Sequence, residues 1–150
     1  VWLGGQAPAA LRRCGRLGEG WMPGLCSPEE AAAAVAAIQG EADACGRTMD
    51  AEHFGMNLSW VDGAISDRVR AGIEARRPGF DPAHTIGVGA SGLAERIHAF
   101  LDAGLSKFVI RPAEASDATA LQPPAADDAA GATSSLPASE PTDWPTPAPM

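Results

Sequence analysis

The sequence predicts an α/β protein in which short strands alternate with helices around a parallel sheet. Apolar residues recur at helical spacing in four segments, and short apolar or alternating segments lie between them. Most connections are short, which is typical of βα units. Two architectures fit this order. One is a small doubly wound domain; the other is half of a (β/α)8 barrel, since a whole barrel needs about 250 residues.

The first βα unit occupies residues 1–18. An apolar strand over residues 1–3 ends at Gly4-Gly5, and a helix starts at Pro8, with an apolar face of Leu11, Cys14 and Leu17. No Ser, Thr, Asp or Asn precedes Pro8 to cap the exposed N–H groups of this helix. Water or a bound anion must satisfy them, and an anion fits because glycines let it approach the backbone.

The second unit has an explicit helix start. After a short apolar segment at residues 20–23, Ser27 and Glu30 form a capping box around Pro28. The helix ends at Gly46. Its predicted apolar stripe consists of Val35, Ile38, Ala42 and Cys45.

The third strand shows alternation at period two. Large apolar side chains stand at Phe54, Met56, Leu58 and Trp60. If these face the helices, the intervening Asn57 and Ser59 point to the other side of the sheet, which in a barrel is the interior.

The last third of the folded part contains two helices and a strand. A helix from about Ser66 buries Ile65, Val69 and Ile73, ends at Pro78 and carries arginines 68, 70, 76 and 77 on a solvated face. Residues 85–89 form a short apolar turn. A further helix packs through Leu93, Ile97, Phe100 and Leu101, and a strand over residues 107–111 is stopped by Pro112.

Composition separates residues 1–112 from residues 113–150. The second segment holds seven of the 13 prolines and six acidic residues but no Lys or Arg, so it carries most of the net charge of −8. Because it has few large apolar residues, we expect 113–150 to be a disordered acidic tail. The remaining 112 residues are nearly neutral, which argues against a nucleic-acid partner.

Other classes of site are not expected. No apolar run is long enough to span a membrane. Three cysteines without CxxC spacing indicate core residues in a reducing cytoplasm, and three scattered histidines indicate no metal site.

Two segments carry a resemblance to a known family. Residues 1–21, which read VWLGGQAPAALRRCGRLGEGW, resemble the strand–GG–helix–GDGW segment of the luciferase-like monooxygenase superfamily, especially its branch that uses the deazaflavin coenzyme F420. Residues 88–112 resemble the closing segment of that family. The sequence departs from the pattern at Glu19, where Asp is usual, and at residues 90–92, where Ala-Ser-Gly replaces Thr-Pro-Glu and Ser91 is the expected helix cap.

The resemblance implies the C-terminal half of a (β/α)8 TIM barrel, with the catalytic residues in a first half that precedes Val1. It also implies that the Gly-Gly loop binds the phosphate of coenzyme F420, or alternatively FMN, through backbone N–H groups. The residues carried over are Gly4, Gly5, Gln6 and Ala7. The expected activity is hydride transfer or oxygenation of a small-molecule substrate, in a protein that the family resemblance makes a candidate homodimer.

Three further residues are candidates for the substrate pocket: Trp21, Ser59 and Arg111. Each has an ordinary structural alternative. Trp21 can pack in the core, Ser59 can be polar filling of the barrel, and Arg111 can be a solvated charge at a strand end. A different function also fits the sequence, namely a non-catalytic phosphate- or nucleotide-binding module of about 112 residues with an acidic interaction tail.

Overall fold

A computed structural model of the chain describes residues 1–114, so most of the predicted tail, residues 115–150, lies outside the described part. Strands and helices alternate, with short 3-10 turns at Ala51–His53 and Pro82–His84, and the order is the predicted one except for an additional strand between the last two helices. The elements in chain order are β1 (Trp2–Leu3), α1 (Pro8–Leu17), β2 (Gly20–Trp21), α2 (Pro28–Ala44), β3 (Gly55–Val61), α3 (Asp67–Arg76), β4 (Ile86–Val88), α4 (Gly89–Asp102) and β5 (Lys107–Pro112).

The strands pair in parallel. β1 pairs with β2, and β3 lies between β4 and β5. A single parallel bridge between Trp21 and Phe54 joins the two sets. β5 follows β3 along its length, whereas β4 meets only its carboxyl end, from Ser59 onward. The α/β prediction is confirmed, and the arrangement agrees with part of a barrel.

Two apolar clusters cover opposite faces of β3. Met56 and Leu58 belong to the larger cluster, which also contains residues of α1, α2 and α4. Val61 belongs to the smaller one, together with Ile73 of α3 and Ile86 of β4. Since side chains alternate along a strand, α3 lies across the sheet from α2 and α4. Asn57 and Ser59 therefore share a face with α3.

The structure corrects three predicted burials. Leu17 is 72% exposed, because α1 packs on α2 through Cys14 and Gly15, and Leu17 lies about 200° around the helix from Gly15. Leu101 is also exposed, since α4 buries the adjacent Phe100. Cys45 is exposed because the helix ends at Ala44, one residue before it.

Other corrections concern element boundaries. Residues 86–88, predicted as part of a turn, form β4, which is a strand because it pairs with β3. Ser91 does not cap α4, which begins at Gly89 after Val88 and has no side-chain cap. The predicted tail begins at Ala113, but the Ala113 N–H donates to the Trp60 carbonyl at 2.9 Å and its side chain packs on the smaller cluster.

The helices within residues 1–114 are all too short or too polar to cross a bilayer.

Candidate functional site

The loops that follow β1, β2 and β3 lie at one edge of the sheet. In parallel sheets the carboxyl ends of neighbouring strands share an edge, and ligands bind there in most α/β folds. The loop after β1 comprises residues 4–7 and the loop after β2 includes Gly24 and Leu25. The predicted cofactor residues are therefore at the edge where a ligand is expected.

The Gly4–Ala7 loop presents main-chain donors without partners. Ala7 occupies the N-cap of α1 in an extended conformation and provides no side-chain cap, as the sequence predicts. Within residues 1–114, the N–H groups of Gly5, Gln6 and Ala7 donate no hydrogen bond. All three residues are at least partly exposed. This arrangement can bind an anion, because free N–H groups and the helix dipole both favour negative charge.

Both glycines of the loop are required by local geometry. Gly5 has a φ of 94°, a conformation that disfavours side chains, and an added Cβ would lie 3.0 Å from the Ala10 Cβ. At Gly4 an added Cβ would lie 3.1 Å from the Met22 carbonyl oxygen. The loop therefore lies close to the chain that follows β2.

Hydrogen bonds from the interior hold the loop in place. The Trp21 indole N–H donates to the Gly5 carbonyl at 3.0 Å, and the Gln6 side chain donates to the Leu25 carbonyl at 2.5 Å. Trp21 has no exposed surface and packs in the larger cluster. It leaves no surface to wall a ligand pocket, so the structure shows the core-packing alternative and corrects the predicted pocket role.

The Leu25 carbonyl has a second donor in Arg77, at 2.8 Å. The same guanidinium makes two hydrogen bonds to the carboxylate of Glu30 in α2, and it lies 4.7 Å from the centroid of the Phe80 ring. The Arg77 hydrogen bond holds the pKa of Glu30 below its usual value, and Glu30 raises that of Arg77. The prediction that Arg77 belongs to a solvated face is thus wrong.

A cavity of about 350 Å³ lies beside the loop that follows β2, on the face of β3 that carries Asn57 and Ser59. Ser59 and Arg111 are direct neighbours in the β3–β5 register, and both line the cavity. Arg111 Nη2 donates to Asn57 Oδ1 at 2.8 Å. The structure thus brings two of the three predicted pocket residues together. The remaining lining comes mostly from the β2 loop, α3 and β4, namely Gly24, Leu25, Leu58, Val69, Ile73, Arg76, Thr85, Ile86, Pro112 and Ala113.

Cysteines and histidines form no second centre in the described residues. Burial raises the pKa of the Cys14 and Cys26 thiols, that of Cys26 to about 12, so both remain protonated near neutral pH. His53 and His84 lie against the rings of Trp2 and Phe80. Residues 1–114 hold no group of three or more His, Cys, Asp and Glu side chains arranged to bind a metal ion.

Solved structures share this fold. One is an F420-dependent secondary alcohol dehydrogenase in complex with an F420–acetone adduct, with a TM-score of 0.57, 14% identity, and coverage of 77% of this chain and 43% of that one. Another is a coenzyme F420-dependent tetrahydromethanopterin reductase from Methanopyrus kandleri, with a TM-score of 0.52, 16% identity, and coverage of 73% and 44%. A monooxygenase from Streptomyces bottropensis has a TM-score of 0.48, 15% identity, and coverage of 73% and 40%.

No family model and no curated protein sequence matches the chain.

The chain thus has the fold of part of the F420-dependent enzymes that it matches, and it spans less than half of their length. At the level of the fold, this confirms the resemblance predicted from the two sequence segments.

Proposed function

We propose that the chain is the C-terminal part of a (β/α)8-barrel oxidoreductase of the luciferase-like class, with coenzyme F420 as cofactor and FMN as the alternative. The shared fold with two F420-dependent enzymes supports the class, and coverage of 43% and 44% of their lengths supports the assignment to half a barrel. The order of β1, β2, β3 and β5 in the sheet agrees with four consecutive barrel strands.

The observation that carries the cofactor assignment is the set of free N–H groups at Gly5, Gln6 and Ala7. A phosphate needs several free donors and close approach to the backbone, and this loop offers three N–H groups without a partner in the described residues next to two glycines. The residues present therefore fit the group. When bound, the deazaflavin supplies the hydride chemistry, and this chain contributes the position and charge environment of its phosphate.

The test compares two glycines that share a backbone conformation. Gly5 and Gly46 both have positive φ, at 94° and 67°, but Gly46 lies beyond the C-terminus of α2 in open space. In the complete protein, Gly5→Val should weaken F420 or FMN binding about tenfold or more, because losing one hydrogen bond to a charged group costs about 1.5–3 kcal/mol. Gly46→Val should leave the affinity unchanged.

Spectral titration with F420 and with FMN measures both affinities and shows which cofactor binds. Equal affinity of Gly5→Val and the parent protein would refute the phosphate assignment. The half-barrel assignment has a separate test, since the complete coding sequence should contain four further βα units before Val1.

The described residues and the comparisons offer no specific support for the alternative of a non-catalytic nucleotide-binding module. The cytoplasmic location, the homodimer, the small-molecule substrate and the disordered tail stay predictions.

A further inference from the structure

The cavity beside β3 has an unbalanced charge. Two of its lining residues are arginines, Arg76 of α3 and Arg111 of β5, and none is acidic. Arg77, in the same region, is paired with Glu30. Both cavity arginines are exposed to solvent, and no acidic side chain of the described residues lies beside them in the cavity.

Neither arginine has an ion pair among the described residues. Arg76 donates through Nε to the carbonyl of Gly72, one turn back in its own helix, at 3.1 Å. Arg111 donates through Nη2 to the neutral Asn57 amide. This bond holds one edge of the guanidinium and leaves its other donors free for a planar or tetrahedral anion.

Apolar and polar side chains alternate in the rest of the lining. Val69 and Ile73 of α3 supply apolar surface, and in the sheet Ser59 lies between Ile86 of β4 and Arg111 of β5. A volume of about 350 Å³ is at the lower end of the range for ligand pockets. The cavity therefore fits a small molecule with one charged group and a short hydrocarbon part.

We propose that this cavity binds a small organic anion, with its carboxylate or phosphate held by Arg111 and Arg76 and its hydrocarbon part against Val69 and Ile73. The proposal rests on the proposed function in one respect: it makes this anion the substrate class of the oxidoreductase. The binding site itself depends only on the cavity and its charges.

Calorimetric titration of the complete protein with butanoate, butyl phosphate and 1-butanol tests the charge requirement. Both the charge and the length of the hydrocarbon part are defined in these probes. At least one anion should bind about tenfold or more tightly than the alcohol, since hydrogen bonds to charged groups are the strong ones. The tighter anion identifies carboxylate or phosphate as the group recognised. Equal binding of all three probes would overturn the proposal.

Substitutions at Arg111 test whether this residue supplies the charge that binds the anion. Arg111→Gln should weaken anion binding about tenfold or more, and Arg111→Lys should keep part of it because the charge remains. Arg68→Gln is the matched control, because Arg68 is exposed on the same helix as Arg76 but does not line the cavity. If Arg111→Gln does not fold, Arg111→Lys still tests the proposal. Arg111→Lys lacks the paired donors of the guanidinium, so unchanged affinity for both anions would contradict the proposal.

These experiments distinguish failure of the anion-site proposal from failure of the proposed oxidoreductase function. If the protein binds anions through Arg111 but binds neither F420 nor FMN, the anion site is supported and the proposed oxidoreductase function is refuted. If the protein binds F420 but none of the anions, the proposed oxidoreductase function is supported and the proposed anion site is refuted.

Discussion

Gly15 lies where α1 packs against α2, and its substitution tests the packing that places the start of α1. A Cβ added at Gly15 would be 2.6 Å from the Ile38 carbonyl oxygen and 2.7 Å from the Glu41 Cβ. Ordinary contact begins at 3.4 Å, so the methyl group overlaps the α2 backbone by about 0.8 Å. Because backbone cannot rotate away, the helices must separate or α1 must shift along its axis.

The magnitude follows from two opposing effects in Gly15→Ala. Replacing a helical glycine by alanine favours the helix by about 0.5–1 kcal/mol. Overpacking a close contact costs about 1–3 kcal/mol. We therefore expect the free energy of unfolding to fall by about 1–2 kcal/mol, since the clash with a rigid main chain places the cost towards its upper range.

Gly40→Ala is the matched control. Gly40 is in the interior of α2, and a Cβ there meets nothing within 4 Å. The same chemical change should therefore raise the free energy of unfolding by about 0.5–1 kcal/mol. Urea denaturation of the complete protein, followed by circular dichroism, measures both values. Stabilisation by both alanines would refute the close packing of α1 on α2.

Two further predictions concern titratable groups. Iodoacetamide should modify the exposed Cys45 but spare Cys14 and Cys26, whose buried thiols have raised pKa values; peptide mass spectrometry checks this, and labelling of Cys26 in the native protein would contradict it. Glu30→Gln should lower stability near pH 7 by up to about 1 kcal/mol, because the Arg77 hydrogen bond lowers the pKa of Glu30. Because the pKa in the folded protein is the lower one, this deficit should shrink as the pH falls below about 4.3, the unfolded value, and vanish only once the pH is below the lowered pKa of Glu30. Urea denaturation at pH 7 and at a series of acidic pH values measures it, and a deficit that does not change with pH would refute the role of the charge.

The starts of α1, α2 and α3 could be predicted closely because local chemistry determines them. Pro8 begins α1, the Ser27 capping box begins α2, and Ser66 caps α3, all as the sequence indicates. The free N–H groups before Pro8 were predictable for the same reason, since a missing cap is visible in the sequence. This is the part of the candidate site that sequence reasoning found.

Other features depend on residues that are distant in the chain. The three residues of β4 become a strand only through pairing with β3, and Glu30 and Arg77 are 47 residues apart. Arg76 is exposed, as the sequence predicts, but nothing near it in the sequence shows that α3 lies over the same sheet face as Ser59 and that Arg76 lines the cavity there. The alternation in β3 predicted that face but not which helix covers it.

The geometry of the Gly-Gly loop is determined by the core more than by the loop itself. The indole of Trp21 holds the Gly5 carbonyl, and the side chain of Gln6 is bound to the Leu25 carbonyl. Arg77 donates to that same carbonyl and is fixed in turn by Glu30.

With its carbonyl and side-chain groups engaged in this way, the loop keeps its main-chain N–H groups exposed before any ligand arrives. Binding an anion there needs little ordering of the chain, so more of the interaction energy remains as affinity. Residues such as Trp21 and Arg77, which touch no ligand in this proposal, therefore contribute to binding by keeping the donors in position.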